Sequence, residues 1–243
     1  MTDATSTPAA TPPAPKWKPL DPNARRVLGV LIEKAKTTPA GYPMSVNAIV
    51  TGCNQKNNRD PVMTLDDIDV EKALEALRVA GAVSEVDWVG RVSKFKHHAY
   101  EWLGVSKPEI AVMTELLLRG AQQLGELRGR AARMEPIADL AELKPIVAAL
   151  VERGLMIELT PPGRGQIVSH NLYLEPELAE VKASAAGQGS RPAADDDEGR
   201  PHAAPVRASS GGEVAALSAE VAALREEIAR LSARLSELEA RSS

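Results

Sequence analysis

The sequence predicts a mainly α protein with small β wings: two tandem winged helix-turn-helix domains plus a C-terminal coiled coil. Three observations carry this. The order helix, helix, helix, hairpin occurs twice between residues 20 and 180. Aliphatic residues recur at alternating spacings of 3 and 4 through four heptads near the C-terminus. Aromatic residues are only 3% of a chain that is 44% hydrophobic. The core must therefore be built from Ala, Val, Leu and Ile, which suits small helical domains better than a deep aromatic pocket.

Residues 1–19 are rich in Thr, Pro and Ala and lack periodic apolar positions, so they read as a disordered arm. They contain no apolar stretch of the kind a secretory signal needs. Residues 20–105 read as the first winged-helix domain. Asp21 can cap a helix with Pro22 at its first position. Val27, Leu28, Leu31 and Ile32 then form an apolar stripe at helical spacing. Ser45 starts a second helix, with Val46, Ile49, Val50 and Cys53 on one face. Asp66 and Asp69 form an acidic capping pattern before Val70, Ala73, Leu74 and Leu77, and Gly81 ends that helix. Alternation from Val83 to Trp88 predicts a strand, Gly90 a turn, and Arg91 to Tyr100 the returning strand.

Residues 106–180 repeat the plan as a second winged-helix domain. Ser106 and Glu109 make a capping box ahead of Ile110, Met113, Leu116 and Leu117. A short helix covers about 124–132, and a third runs from near Asp139 to Arg153. Pro145 lies inside the latter and predicts a distorted or separate first turn. Leu155–Leu159 and Ile167–Leu174 read as a hairpin around Pro161–Gly165. Residues 181–212, with Ala, Gly, Ser, Pro and the acidic run Asp195–Glu198, read as a flexible linker.

Residues 213–241 carry the heptads. Val214, Leu217, Val221, Leu224, Ile228, Leu231, Leu235 and Leu238 form an a/d seam. Val or Ile at the first three a positions and Leu at every d position favour a parallel dimer. Glu220 would face Arg225 of a partner chain, and Arg234 would face Glu239. A coil with a different protein, or a helix packed on its own body, are the alternatives.

The segments Tyr42-Pro-Met-Ser-Val-Asn47, Cys53-Asn-Gln-Lys-Asn-Asn-Arg-Asp-Pro-Val-Met63 and Leu118-Arg-Gly-Ala-Gln122, with Gly125-Glu-Leu-Arg128, are the distinctive wording of this chain. On them the chain resembles the YceH-like family of uncharacterised bacterial proteins over roughly residues 20–178. The resemblance implies a tandem winged-helix fold and brings no established activity. Gln123 departs from the family, whose members tend to have a helix-capping threonine there.

Net charge is −4. Residues 183–243 hold 7 basic and 10 acidic side chains, and the remainder 22 and 23. Neither part is basic in bulk, so DNA binding would need local patches. The polar loop Asn54–Asp60 offers Lys56 and Arg59 as its exposed cations. The first wing offers Arg91, Lys94 and Lys96, the second domain Arg128 and Arg130, and the second wing tip Arg164. Each also fits a bland role: a side chain fixing an irregular loop, or a solvated charge. Against DNA stands the helix in the usual recognition position, where Asp66, Asp67, Asp69, Glu71 and Glu75 outnumber Lys72 and Arg78.

Enzyme motifs are absent, and the four histidines and one cysteine show no metal-ligand spacing. No catalytic residue, metal or cofactor is expected. Cys53 reads as core, a lone cysteine suits a reducing, cytoplasmic setting, and no apolar run approaches a membrane span. Two functions follow: a dimeric DNA-binding, regulator-like protein, or an interaction scaffold whose winged helices bind another protein.

Overall fold

The computed structural model describes residues 16–86 and 92–188. Helix α1 (Pro22–Thr37) starts where the Asp21 carboxylate accepts the Ala24 N–H at 3.0 Å. A 3-10 turn (Pro39–Gly41) leads to α2 (Val46–Cys53), capped by Ser45. Helix α3 (Asp67–Val79) opens on the reciprocal Asp66/Asp69 box, with bonds of 2.8 and 3.3 Å. Strands β1 (Val83–Val86) and β2 (Lys94–His97) pair antiparallel, with Val83 opposite His97. Met44 bridges Phe95 from the other side of β2. The second strand was expected to reach Tyr100. Instead the chain turns into α4 (Ala99–Leu103), which buries Ala99, Trp102 and Leu103 and ends on left-handed Gly104 at φ 66°.

Helix α5 (Lys107–Arg119) begins with Ser106 donating its N–H and hydroxyl to Glu109, at 2.7 and 2.8 Å. A two-residue strand, β3 (Gln122–Gln123), precedes α6 (Leu124–Ala131). Gln123 at the start of α6 makes no side-chain cap bond. Helix α7 (Leu140–Glu152) is capped by Asp139 and contains Pro145 without being split by it. Its first turn is also held by Glu142, which accepts the Ala138 N–H at 2.7 Å. Strands β4 (Met156–Glu158) and β5 (Ile167–His170) join β3 in an antiparallel sheet of order β3-β5-β4. Helix α8 (Glu175–Gln188) extends into the stretch that composition reads as linker. The described structure is thus mainly helical with small antiparallel sheets. Among the described residues no helix is long and apolar enough to cross a membrane.

Helix α1 departs from the expected one-sided stripe. Ala24 to Glu33 are all buried, including Arg25, Arg26 and Glu33. The reason is that α5 covers the face that α2 and α3 leave open. Helix α5 is buried likewise from Ile110 to Leu118, Thr114 and Glu115 included. One core therefore runs from Leu20 to Leu172, across the predicted boundary at 105/106. Two glycines permit the close approach. A Cβ on Gly29 would lie 2.9 Å from Leu118 Cδ2, and one on Gly52 would lie 2.6 Å from Val30 Cγ1.

The arm from 1 to 15, Trp88 and Arg91 of the first wing, and everything from 189 on lie outside the described residues. That includes the seam Val214, Leu217, Val221, Leu224, Ile228, Leu231, Leu235 and Leu238.

Alanine is worth about 1 kcal/mol over glycine inside a helix. Overpacking a filled core costs about 1–3 kcal/mol. At Gly52 the second term should win, because Val30 is fully buried and β-branched. Gly52→Ala should lower the urea midpoint, and a raised midpoint would show that α1 and α2 can separate freely.

Candidate functional site

The polar loop after α2 is built from its own side chains. The Asn54 amide donates to Leu65 O and accepts from Leu65 N, both at 2.8 Å, closing the segment into a ring. Asn58 takes a left-handed backbone at φ 62°, which asparagine tolerates better than most residues. Its side chain accepts a bond from Arg119 at the end of α5. The Asp60 N–H reaches Leu118 O at 3.0 Å.

Arg59 corrects the sequence expectation of an exposed cation. Its side chain is fully buried and forks onto Glu33 at 2.6 and 3.3 Å. It also donates to Gly52 O at 3.0 Å, Asn58 O at 2.8 Å and Gln55 at 3.1 Å. Arg26, beside it, donates to the carbonyls of Cys53, Pro61 and Leu118 at 3.1, 2.7 and 3.4 Å. Burial and the neighbouring Arg59 lower its pKa. The motif Asn54–Asp60 is therefore the seam between the two halves, and only Lys56, Asn57 and Asp60 of it are exposed.

The other candidates divide similarly. Arg128 is half-buried and donates to Ile137 O and Ala138 O at 3.4 and 3.1 Å, bracing the turn before α7. Arg130 reaches Gln122 at 2.6 Å and Glu126 at 3.4 Å. Arg133 and Arg119 flank the buried Glu115 at 2.6 and 3.4 Å. Each of these arginines is engaged by protein groups that hold the second half together. Lys94 is half-buried on β2, Lys96 is exposed there, and Arg164 is exposed between β4 and β5. Arg91 lies outside the described residues.

Helix α3 turns Val70, Ala73, Leu74 and Leu77 inward. At 100° per residue, Ile68, Lys72, Glu75 and Val79 line up on the opposite side, all exposed. Ile68 is 59% and Val79 80% exposed. Glu75 pairs with Arg78 at 2.8 Å, while Asp67 and Glu71 flank the ridge.

A cleft of about 790 Å³ opens between α1, the Asp60–Met63 segment, the Gly120–Gln123 turn and α8. Sequence reasoning missed it, because its walls meet only in the fold. Arg25 on its floor forks onto Glu177 of α8 at 2.9 and 2.6 Å and lies 4.8 Å over the Tyr173 ring. Hydrogen bonds from Arg25 lower the Glu177 pKa. The His170 and Tyr173 rings lie 3.9 Å apart, and Ser169 shares a 2.8 Å hydroxyl bond with Tyr173. Burial holds His170 well below its ordinary pKa, with Arg25 adding to the shift, and raises that of Tyr173. Across the molecule, His97 is pushed down to about 4, first by burial and then by His98. Burial drives the Cys53 thiol up to about 12, so it stays unreactive inside the core. Among the described residues no group of three or more His, Cys, Asp or Glu could hold a metal ion.

Residues 20–164 match the family described as "Protein of unknown function, DUF480". A UPF0502 protein of Rhodopirellula baltica is 56% identical over 160 residues, covering 66% of this chain and 68% of that protein. A UPF0502 protein of Geobacter sulfurreducens is 44% identical over 170 residues, covering 68% and 78%. One of Citrifermentans bemidjiense is 43% identical over 175 residues, covering 70% and 81%. The chain belongs to the DUF480 family, consistent with the YceH-like resemblance.

Removing one partner of a buried ion pair costs about 3–5 kcal/mol, because the other charge is left without compensation. Arg59→Ala should lose that much stability in urea unfolding, while Lys56→Ala should stay within about 0.5 kcal/mol of the parent. Equal, small losses would contradict the seam.

His97 and His170 are neutral in the fold but take up protons near pH 6.5 when unfolded. The unfolded state thus binds more protons as pH falls below that value. Stability should be full above pH 6.5 and decline from there toward pH 4. Urea midpoints between pH 7.5 and 5 should show this decline, and His97→Gln should flatten it. An identical slope in the variant would remove His97 as a cause.

Proposed function

We propose that this DUF480 protein is a non-enzymatic interaction module built on two winged-helix domains. In it, the outer face of α3 docks another protein, and the heptads of 213–241 pair two chains in a cytoplasmic dimer. The supporting observation is the α3 ridge itself. Ile68 and Val79 stand 11 residues apart, about 16 Å along a helix, with charged side chains between them. Exposed aliphatic residues on one helical line are the anchors by which a helix face engages a groove. Asp67 and Glu71 beside them would meet repulsion from DNA phosphates, so insertion into a major groove is disfavoured. Pairing two chains would turn two weak docking sites into one avid unit.

A second function has a narrower basis. Lys56, Lys96 and Arg164 are exposed and take no ion pair among the described residues. Such cations suit contact with DNA phosphates through the wings.

A photo-crosslinking amino acid at position 68 or 79 of the full chain should give discrete protein adducts in cells, and one at Glu152 should not. The charge reversals Glu71→Lys and Glu75→Lys should diminish the adducts. Absence of adducts from both ridge positions would sink the docking role. Titration with labelled duplex DNA is expected to show no salt-sensitive binding. If binding appears, falls with a log–log salt slope of about −0.9 per phosphate and is lost in Lys96→Glu with Arg164→Glu, the wings are the functional surface.

A further inference from the structure

The cleft beside α8 is lined by three guanidinium groups, yet each is already engaged. Arg25 is held by both oxygens of Glu177 and by Leu20 O at 2.5 Å. Arg26 is held by three backbone carbonyls. Arg119 is held by Asn58 and Glu115. An anionic ligand would therefore have to displace existing partners.

The rim is different. Asp60, Glu126 and Glu180 are all exposed there. Glu126 meets Arg130 at 3.4 Å, whereas Asp60 and Glu180 take no ion pair among the described residues. The Asp60 charge acts on Arg26, although the two form no ion pair. The lining also includes Met63, Leu159, Ile167 and Val181, all half-buried. These aliphatic side chains lie among arginines that are already engaged, and together with the exposed carboxylates they match a chain that alternates aliphatic and cationic side chains. The surface is also continuous in sequence with the α3 ridge. Asp60 and Pro61 line the cleft, Val62 is 58% exposed, and Asp66 caps α3.

We propose that the cleft receives a basic, extended peptide segment of a partner protein, with lysine or arginine reaching Asp60 and Glu180 and aliphatic side chains entering between them. Resting on the docking role of α3, this extends the interface from the ridge into the cleft and names the partner's chemistry. Long cationic side chains can lay their methylene stems on the aliphatic side chains of the lining while the charge stays at the wet rim.

The test is an array of random peptides probed with the full chain, followed by anisotropy titration of the retained sequences. Lysine and arginine interleaved with aliphatic residues should be enriched. Affinity should fall by about tenfold or more in Asp60→Lys with Glu180→Lys, as for a charge pair lost from an interface. Both positions are exposed, so the variant should keep the parent circular dichroism, with a lower urea midpoint because the Asp60 charge no longer favours Arg26; Glu180→Lys alone should keep the midpoint and still weaken binding. Enrichment of acidic or uncharged peptides, or no retention at all, overturns the proposal. Unchanged affinity in the cleft variant does the same. Peptides lost in Ile68→Asp but retained by the cleft variant would leave α3 as the docking site and reject the cleft. Basic peptides lost only in the cleft variant would uphold the cleft and reject α3.

Discussion

The buried pair Arg59–Glu33 exists because α1 has no free side. A helix enclosed all round strands its polar residues, and an ion taken from water into a protein interior costs several kcal/mol unless it is met by charge and hydrogen bonds. Glu33 is met by Arg59, Arg25 by Glu177, and Arg26 by three carbonyls. The same demand arises on α5, where Glu115 is met by Arg133 and Arg119. Packing α1 against α5 thus dictates the shape of the Asn54–Pro61 loop. The loop must bring a guanidinium to Glu33, the Pro61 carbonyl to Arg26 and an amide oxygen to Arg119.

This arrangement uses up several of the arginines that could have met a nucleic acid. Arg59 is interior, and Arg128, Arg130 and Arg133 brace the second half. What remains outside is uneven. Carboxylates and aliphatic side chains gather on α3 and around the cleft, while exposed cations, Lys56, Lys96 and Arg164 among them, are scattered over the described residues. A scattered set of cations gives little focused field, whereas an apolar ridge with charged flanks resembles the anatomy of protein interfaces.

What the sequence discloses is local. Helix starts at Asp21, Ser45, Asp66, Ser106 and Asp139 are legible because a cap bonds a backbone amide only two or three residues away. The inward stripe of α3 is legible because one face of a helix obeys a single period. The fate of Arg59 is not, since its partner Glu33 lies 26 residues earlier and exposed or buried arginines look alike in a string. Strand β3 is too short for any period to register, and α4 was hidden because Tyr100 keeps the alternation of the preceding strand. Helix α8 is not legible, because its second half is largely Ala, Gly and Ser, a composition shared with linkers. The cleft draws its walls from α1, the loop, the β3 turn and α8, so no window along the chain contains it.

The enclosure of α1 also has a consequence in time. Helix α1 ends at Thr37 and α5 at Arg119. At 5–20 residues per second of synthesis, the second partner follows the first by roughly 4–16 s. For that interval the nascent first half carries a bare stripe around Gly29 and an Arg26 lacking its Leu118 acceptor. A chaperone that reads transiently exposed aliphatic surface would find it there, on a ribosome-bound fragment, and lose it once α5 emerges.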